Sequence, residues 1–439
     1  MKQKNIMLVS AMALFSMLFG AGNLIFPPTL GLTTGADFFK AFIGFVITGA
    51  GLVLLGLIST IKAGGTIESV ARKLGAPFAS LFGALILISI GPGIAIPRTA
   101  ATTFEVLQGS LLPNLSPVVL SVIFFGITVF LIFRPSGVID VIGKFLTPAL
   151  LILLALLIIK GFLTPLGPIA PTEFSGDFSY GFLEGYQTMD MIAALAFTIL
   201  VLKGYHNQGI TDRDEAASLT AKSGIFAAVA LGLVYLGLTY IGATTSGLGL
   251  QDLSRVQLLI YTAQTLLGSA GAIAISLVMA LACLTTSIGL TSTVADFFER
   301  LTGGKVKYSV WVILSSLISG YFSIMGVDQI VAIAAPVLSM LYPVAMTLIF
   351  LNLFPETFHY ASTHIGAVVG ALVLAVNEIT KLLTGEGVTL IENFIAALPE
   401  MLQTFYWIIP AACLGLIFTL IFKDKLHPKE PINHLYTKI

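Results

Sequence analysis

Two glycines and an asparagine interrupt the first hydrophobic stretch, in Phe19-Gly20-Ala21-Gly22-Asn23-Leu24-Ile25-Phe26-Pro27-Pro28. Glycine weakens a helix and proline ends one, so a break is expected at Gly20 to Asn23 and a stop at the Phe-Pro-Pro run. Unpaired backbone groups are costly in hydrocarbon, so a break at that depth persists only where protein buries it or it lines a cavity. The amides of Gly20, Ala21, Gly22 and Asn23, at the positive end of a half-helix, can receive a carboxylate, and glycine lets ligand atoms come close to the backbone. The alternative is a glycine kink that serves helix packing alone.

Asp190 is the second residue with chemical content. It stands about ten residues into a span that begins near 180, about 15 Å into a core of about 30 Å. An ionisable group at that depth points to function. It can meet a substrate ammonium, help hold a cation or carry a proton; it can also form a structural pair with Arg98, the one basic residue deep in a span. Gln187 and Thr188 flank a softer break signal at Gly185 and can contact a ligand through amide, hydroxyl or backbone. Tyr186 shares a face with Asp190 only if the helix continues. Glu184, one turn from the outer boundary, suits a wetted vestibule as well as a binding role. Arg98 follows a proline-glycine cluster expected to bend its helix, and either closes an outer gate with an acid or stabilises the bundle. A third cluster, Ala282-Cys283-Leu284-Thr285-Thr286-Ser287, sets three hydroxyls in a row within an apolar helix. Such residues often only hydrogen-bond back to the preceding turn.

Composition sets the elements that must hold these groups. Of 439 residues, 56% are hydrophobic and 10% charged, with mean hydropathy +0.99, far from the roughly 25% charged of soluble domains. The chain is an integral membrane protein. Basic and acidic residues balance at 22 each, which gives no electrostatic footprint for nucleic acid. Cys283 and Cys413 lie in apolar segments and supply neither a disulfide framework nor a metal-ligand spacing. His206, His359, His364, His427 and His434 form no His-Glu-x-x-His pair, which speaks against a zinc enzyme.

A span needs about 20 mainly apolar residues, and twelve are expected within one membrane domain over 1–439: 6–30, 38–61, 77–106, 117–133, 140–160, 180–202, 223–246, 268–298, 308–323, 329–353, 361–380 and 402–422. The first is expected to be retained rather than cleaved as a signal. The segment from Leu248 to Thr265 is expected to be an outer loop or a short amphipathic helix. With the N-terminus cytoplasmic, seventeen basic residues fall inside and four outside, Lys40, Lys160, Arg255 and Lys381, as the positive-inside rule requires. Both termini are then cytoplasmic.

Gly20-Ala21-Gly22-Asn23 with Phe26-Pro27 resembles the broken first helix of the LeuT-type transporters, Gly-x-Gly-Asn with a downstream Phe-Pro, one residue short between Asn23 and Phe26. With Gly-Pro-Gly-Ile-Ala-Ile-Pro-Arg-Thr-Ala at 91–100, Phe104-Glu105 and Gly185-Tyr186-Gln187-Thr188-Met189-Asp190, the chain more specifically resembles the BrnQ-type branched-chain amino acid carriers, the LIVCS family. The resemblance implies an all-α membrane protein of twelve transmembrane helices in a LeuT-type 5+5 inverted repeat with broken first and sixth helices. One repeat would occupy 1–161, the second 180–353, and two additional helices 361–422. It implies sodium-coupled import of leucine, isoleucine and valine by alternating access. It also implies a sodium site, because Ala282, Thr285 and Thr286 match the Ala-x-x-(Thr/Ser)-(Thr/Ser) pattern of those carriers. Counting back from Asn23, the first-helix carbonyls of Ser16 and Phe19 complete it. Five neutral oxygens suit a monovalent hard cation better than a divalent one. A second sodium in such carriers uses a seventh-helix asparagine; 223–246 has none, so a single coupled ion is expected.

Proton coupling through Asp190 is the near alternative. A channel would need a continuous polar stripe, where the sequence offers isolated polar clusters. An enzyme would need a nucleophile with a base, or a metal cluster, and none has the spacing. The expected setting is the lipid bilayer of the cell membrane, with a small amino acid as the ligand.

Overall fold

The computed structural model describes residues 2–133, 147–172 and 178–422. Arg134, Lys144, Lys423, Lys425, Lys429 and Lys438, six of the inner-side basic residues, lie outside them, as do His427, His434 and the start of the stretch expected at 140–160. The described residues form helices and no strands: α1 Lys2–Leu18, α2 Ala21–Thr34, α3 Phe38–Val46, α4 Leu52–Ala63, α5 Ile67–Val70, α6 Ala76–Ile88, α7 Ala95–Ser110, α8 Pro117–Ile132, α9 Thr147–Leu163, α10 Phe178–Tyr186, α11 Asp190–Asn207, α12 Arg213–Ala243, α13 Arg255–Leu301, α14 Tyr308–Ser323, α15 Val327–Leu353, α16 Ala361–Thr384, α17 Thr389–Ala396, α18 Glu400–Gln403 and α19 Ile408–Phe422.

Among the described residues, six helical stretches are long and apolar enough to cross a membrane, Ala21–Ala63, Ala76–Ser110, Asp214–Leu248, Arg255–Leu301, Val327–Leu353 and Ala361–Lys381. The pair α10 and α11, bent by 43°, makes a seventh if it is one span. Five further apolar helices, Ile6–Leu18, Pro117–Ile132, Thr147–Leu163, Tyr308–Ser323 and Ile408–Phe422, are shorter. At 1.5 Å per residue each covers roughly 20–26 Å of a core of about 30 Å. Large apolar side chains such as Leu163, Leu233, Leu317 and Leu420 stay exposed, as lipid-facing surface requires.

Gly20 divides the first stretch in extended backbone, φ −118° and ψ −160°. The Phe-Pro-Pro run does not stop the chain: Pro27 and Pro28 lie inside α2, which runs on to Thr34. Proline removes ladder donors but its fixed φ is helical, and close packing of α2 on α12 holds the helix together. A Cβ on Gly31 would stand 1.9 Å from the Thr239 carbonyl oxygen, and one on Gly242 2.0 Å from that of Pro28.

The second expected break falls later than Gly185. Gly185 is still helical, and the chain leaves the helix over 187–189, where Met189 takes the left-handed conformation at φ 64°. Tyr186 and Asp190 therefore do not share a continuous helix face. Of the two readings of 248–265, loop or short amphipathic helix, the stretch from Arg255 onward is helical: Ser254 and Gln257 exchange hydrogen bonds in a capping box that starts α13. Among the described residues, two π-helical turns, Ile47–Gly51 between α3 and α4 and Ser89–Gly93 between α6 and α7, the latter containing Pro92, lie between the two breaks in the chain.

Candidate functional site

The first turn of α2 has no intrahelical acceptors for its amides, and Gly20, Ala21, Gly22 and Asn23 line a cavity of about 30 Å³. The Gly20 N–H is withdrawn from α1 and donates to Asn23 Oδ1 at 2.9 Å, so Asn23 fixes the shape of the break from within.

Across the cavity the end of α10 tightens. The N–H groups of Gln187, Thr188 and Met189 donate to the carbonyls of Glu184, Gly185 and Tyr186, and the Thr188 hydroxyl also donates to Gly185 at 2.9 Å. Those bonds leave the carbonyls of Gln187 and Thr188 as the open negative end of the half-helix. Met189, the one non-glycine residue at positive φ among the described residues, bears a conformational cost of about 1–2 kcal/mol. That strain sits in the second break, beside Asp190.

Asp190 opens α11 and joins the two breaks. Its Oδ2 accepts from Asn23 Nδ2 at 2.5 Å and from the Tyr235 hydroxyl at 2.8 Å, while Asn23 Nδ2 also lies 2.5 Å from Tyr235 Oη. The three side chains are 0–2% exposed. No Arg or Lys forms an ion pair with Asp190 among the described residues, so the alternative of a structural Arg98–Asp190 pair is not made. Tyr235, on α12, is a site residue that the sequence reading missed. Its one signal was a hydroxyl-tipped aromatic in an apolar span that lacks the asparagine of the resemblance.

Arg98, on α7, is 3% exposed. Its Nη1 donates to the Gln187 carbonyl at 2.6 Å and its Nη2 lies 3.5 Å from that of Thr188. Arg98 and Arg255 both stand over the ring of Phe26, at 5.4 and 5.6 Å from its centre, and Arg255 pairs with Asp328 at 2.6 Å. Arg98 itself forms no ion pair with an acid among the described residues, whereas Arg255, from the segment expected to be an outer loop or a short amphipathic helix, does. Gln187 lies beside the cavity through its backbone, and its Oε1 is buried without a partner. Glu184, in the last turn of α10, is half-buried.

The five residues expected around a cation divide between two places. Thr286 faces the site cavity, with its hydroxyl 3.4 Å from the Phe19 carbonyl. Ser16, Ala282 and Thr285 line a separate cavity of about 40 Å³, where the Thr285 hydroxyl donates back to Ala282 at 2.8 Å. The donor set is neutral oxygen throughout, and no group of three or more His, Cys, Asp or Glu side chains could hold a metal among the described residues. That chemistry fits a monovalent hard cation.

A multi-pass helical protein with two interrupted helices facing one buried polar cavity belongs to the class of membrane transport proteins. The family model described as branched-chain amino acid transport protein matches residues 2–425, and the chain belongs to that family. It is 36% identical over 426 residues to the branched-chain amino acid permease BrnQ of Corynebacterium glutamicum, covering 95% of each chain. It is 32% identical over 435 residues to the branched-chain amino acid permease BraB of Bacillus subtilis, covering 96% of each. Relatives named as permeases place the chain among carriers rather than enzymes.

Proposed function

We propose that the protein imports leucine, isoleucine and valine by alternating access around the two helix breaks. The observation that carries this is the meeting of two half-helix ends of opposite polarity on one cavity. The N-terminus of α2 at Ala21 can take a carboxylate, and the carbonyls of Gln187 and Thr188 can take an ammonium. Asp190, buried and in no ion pair with Arg or Lys among the described residues, adds charge for the ammonium. Ile90, Ala95, Ala193, Phe197 and Leu290 line the remaining wall, an apolar surface suited to an aliphatic side chain. The names of the relatives supply the branched-chain class.

A cavity of about 30 Å³ holds one or two waters, so the breaks must part to admit an amino acid. In the proposed architecture α1 with α2 and α10 with α11 are the broken first and sixth of twelve spans. The two five-helix repeats are 1–161 and 180–353, 361–422 is appended, and both termini are cytoplasmic in the cell membrane. Coupling is assigned to one sodium ion, for which the hydroxyls of Thr285 and Thr286, which face separate cavities, must turn to join the carbonyls of Ser16, Phe19 and Ala282. Bound there, the ion supplies a positive charge that ties α1 to α13.

Uptake of labelled leucine into proteoliposomes, with sodium and proton gradients imposed separately, tests each level. Saturable uptake driven by sodium is expected. Uptake driven by protons and indifferent to sodium would move coupling to Asp190, and no uptake under either gradient would remove the substrate.

A further inference from the structure

Arg98 is a positive charge that forms no ion pair with an acid among the described residues, although Asp190 lines the same cavity, where a substrate cation is expected. Its guanidinium is held by the carbonyls of Gln187 and Thr188, at 2.6 and 3.5 Å, the acceptors a half-helix C-terminus offers to a cation. It also presses on the other half of the site, because a Cβ on Gly22 would lie 2.9 Å from Arg98 Nη2. Among the described residues its Nε is buried without a hydrogen-bond partner, as is Gln187 Oε1. A permanent structural strut would have its donors satisfied; Arg98 spends its best donors on one pair of carbonyls and leaves another donor unused.

We infer that Arg98 is a tethered stand-in for the substrate's ammonium: its guanidinium fills the cation end of the site, and an amino acid binds by displacing it. The inference rests on the zwitterion assignment above and deepens it. The guanidinium keeps the negative half-helix end neutralised when no substrate is present. A ligand must then offer both an amine, to compete for the carbonyls, and a carboxylate, to occupy the α2 end. Binding is correspondingly weaker than the site's intrinsic affinity: if the guanidinium vacates the carbonyls about a tenth of the time, apparent affinity falls about tenfold.

The test is calorimetric binding to the purified full-length protein with two ligands, leucine and 4-methylpentanoate, which is leucine with hydrogen in place of the amino group. Arg98→Gln should bind leucine about tenfold more tightly than wild type, with no such gain for 4-methylpentanoate. Arg98→Lys, which keeps a cation able to reach the same carbonyls, should stay near wild type. If leucine and 4-methylpentanoate weaken together in Arg98→Gln, the guanidinium holds the substrate carboxylate and the inference fails. An equal gain in Arg98→Lys would mean relief of crowding, and no gain in any variant would mean no competition; either result overturns it. Should Arg98→Gln fail to fold, Arg98→Met, which retains the apolar stem, takes its place. Wild-type protein that ignores leucine would instead overturn the substrate assignment.

Discussion

Asn23 and Asp190, 167 positions apart in the chain, share a hydrogen bond that ties the break in the first helix to the break in the second. The amide of Asn23 works in both directions: its oxygen receives the Gly20 N–H and its nitrogen donates to Asp190 and Tyr235. Movement of α11 against α2 must therefore break or carry this contact, which places the polar triad on the path of any opening motion.

Asp190→Asn keeps the shape of the side chain and removes its charge. Hydrogen bonds to charged groups are worth about 1.5–3 kcal/mol, so loss of the ammonium partner should weaken leucine binding roughly 10- to 150-fold. Titration of purified protein with leucine measures this, and near-normal affinity would take Asp190 out of the site.

Tyr235→Phe deletes only a hydroxyl that donates to Asp190 and lies beside Asn23. The ring stays packed edge-on to Phe45 at 5.1 Å, so folding should survive. Leucine affinity should fall about tenfold, the worth of one hydrogen bond to a charged group. An unchanged leucine titration with unchanged thermal stability would make the hydroxyl a bystander.

The first break was legible because glycine and asparagine leave a compositional mark in an apolar run. The second carried no such mark: Gly185 drew attention, but a Cβ there would meet Thr48 at 2.7 Å, so that glycine serves helix contact while Met189 makes the turn. Pro27 and Pro28 were misread because a proline's φ is compatible with a helix that tertiary packing supports. Tyr235 and Arg255 escaped because their roles depend on which helices meet, and long-range pairing is absent from local pattern. Arg98 was visible as a buried charge, yet its partners are backbone carbonyls, which no side-chain pattern records.

Gly22→Leu should abolish leucine binding while the protein still inserts and purifies as a monodisperse species. Even the first added carbon would meet Arg98 Nη2 at 2.9 Å and the Thr188 backbone at 3.3 Å, so the rest of the side chain must fill the cavity between the two half-helix ends. Leucine affinity within a few-fold of wild type would remove this break from the site.

Gly31→Ala and Gly242→Ala should each destabilise the fold, because the added carbon would overlap backbone oxygens at 1.9 and 2.0 Å and force α2 from α12. Overpacking of this kind costs about 1–3 kcal/mol or more. Gly126→Ala, with nothing within 4 Å of the added carbon, is the matched control and should melt no lower than wild type. Equal melting temperatures for all three would show that the two helices do not need this contact.

Thr285 and Thr286 separate the two possible uses of the hydroxyl row on α13. The Thr285 hydroxyl is committed to Ala282 at 2.8 Å, a bond that serves the helix alone, whereas the Thr286 hydroxyl reaches across to Phe19 at 3.4 Å. If both turn to a sodium ion, Thr285→Ala and Thr286→Ala each remove one of its five oxygens and leave it under-coordinated where rehydration is difficult. The sodium concentration for half-maximal leucine binding should then rise steeply in both variants. Because linkage is reciprocal for equilibrium binding, leucine affinity should fall at low sodium in both variants and recover fully at saturating sodium in Thr285→Ala, which lines a separate cavity, and less fully in Thr286→Ala, which faces the site. Thr286→Ala should be the more severe, because it also cuts the contact between α13 and the break in the first helix. Leucine binding measured across a sodium titration decides the matter: a sodium dependence unchanged in both variants would place the ion elsewhere, and one altered only in Thr286→Ala would leave Thr285 with its bond to Ala282.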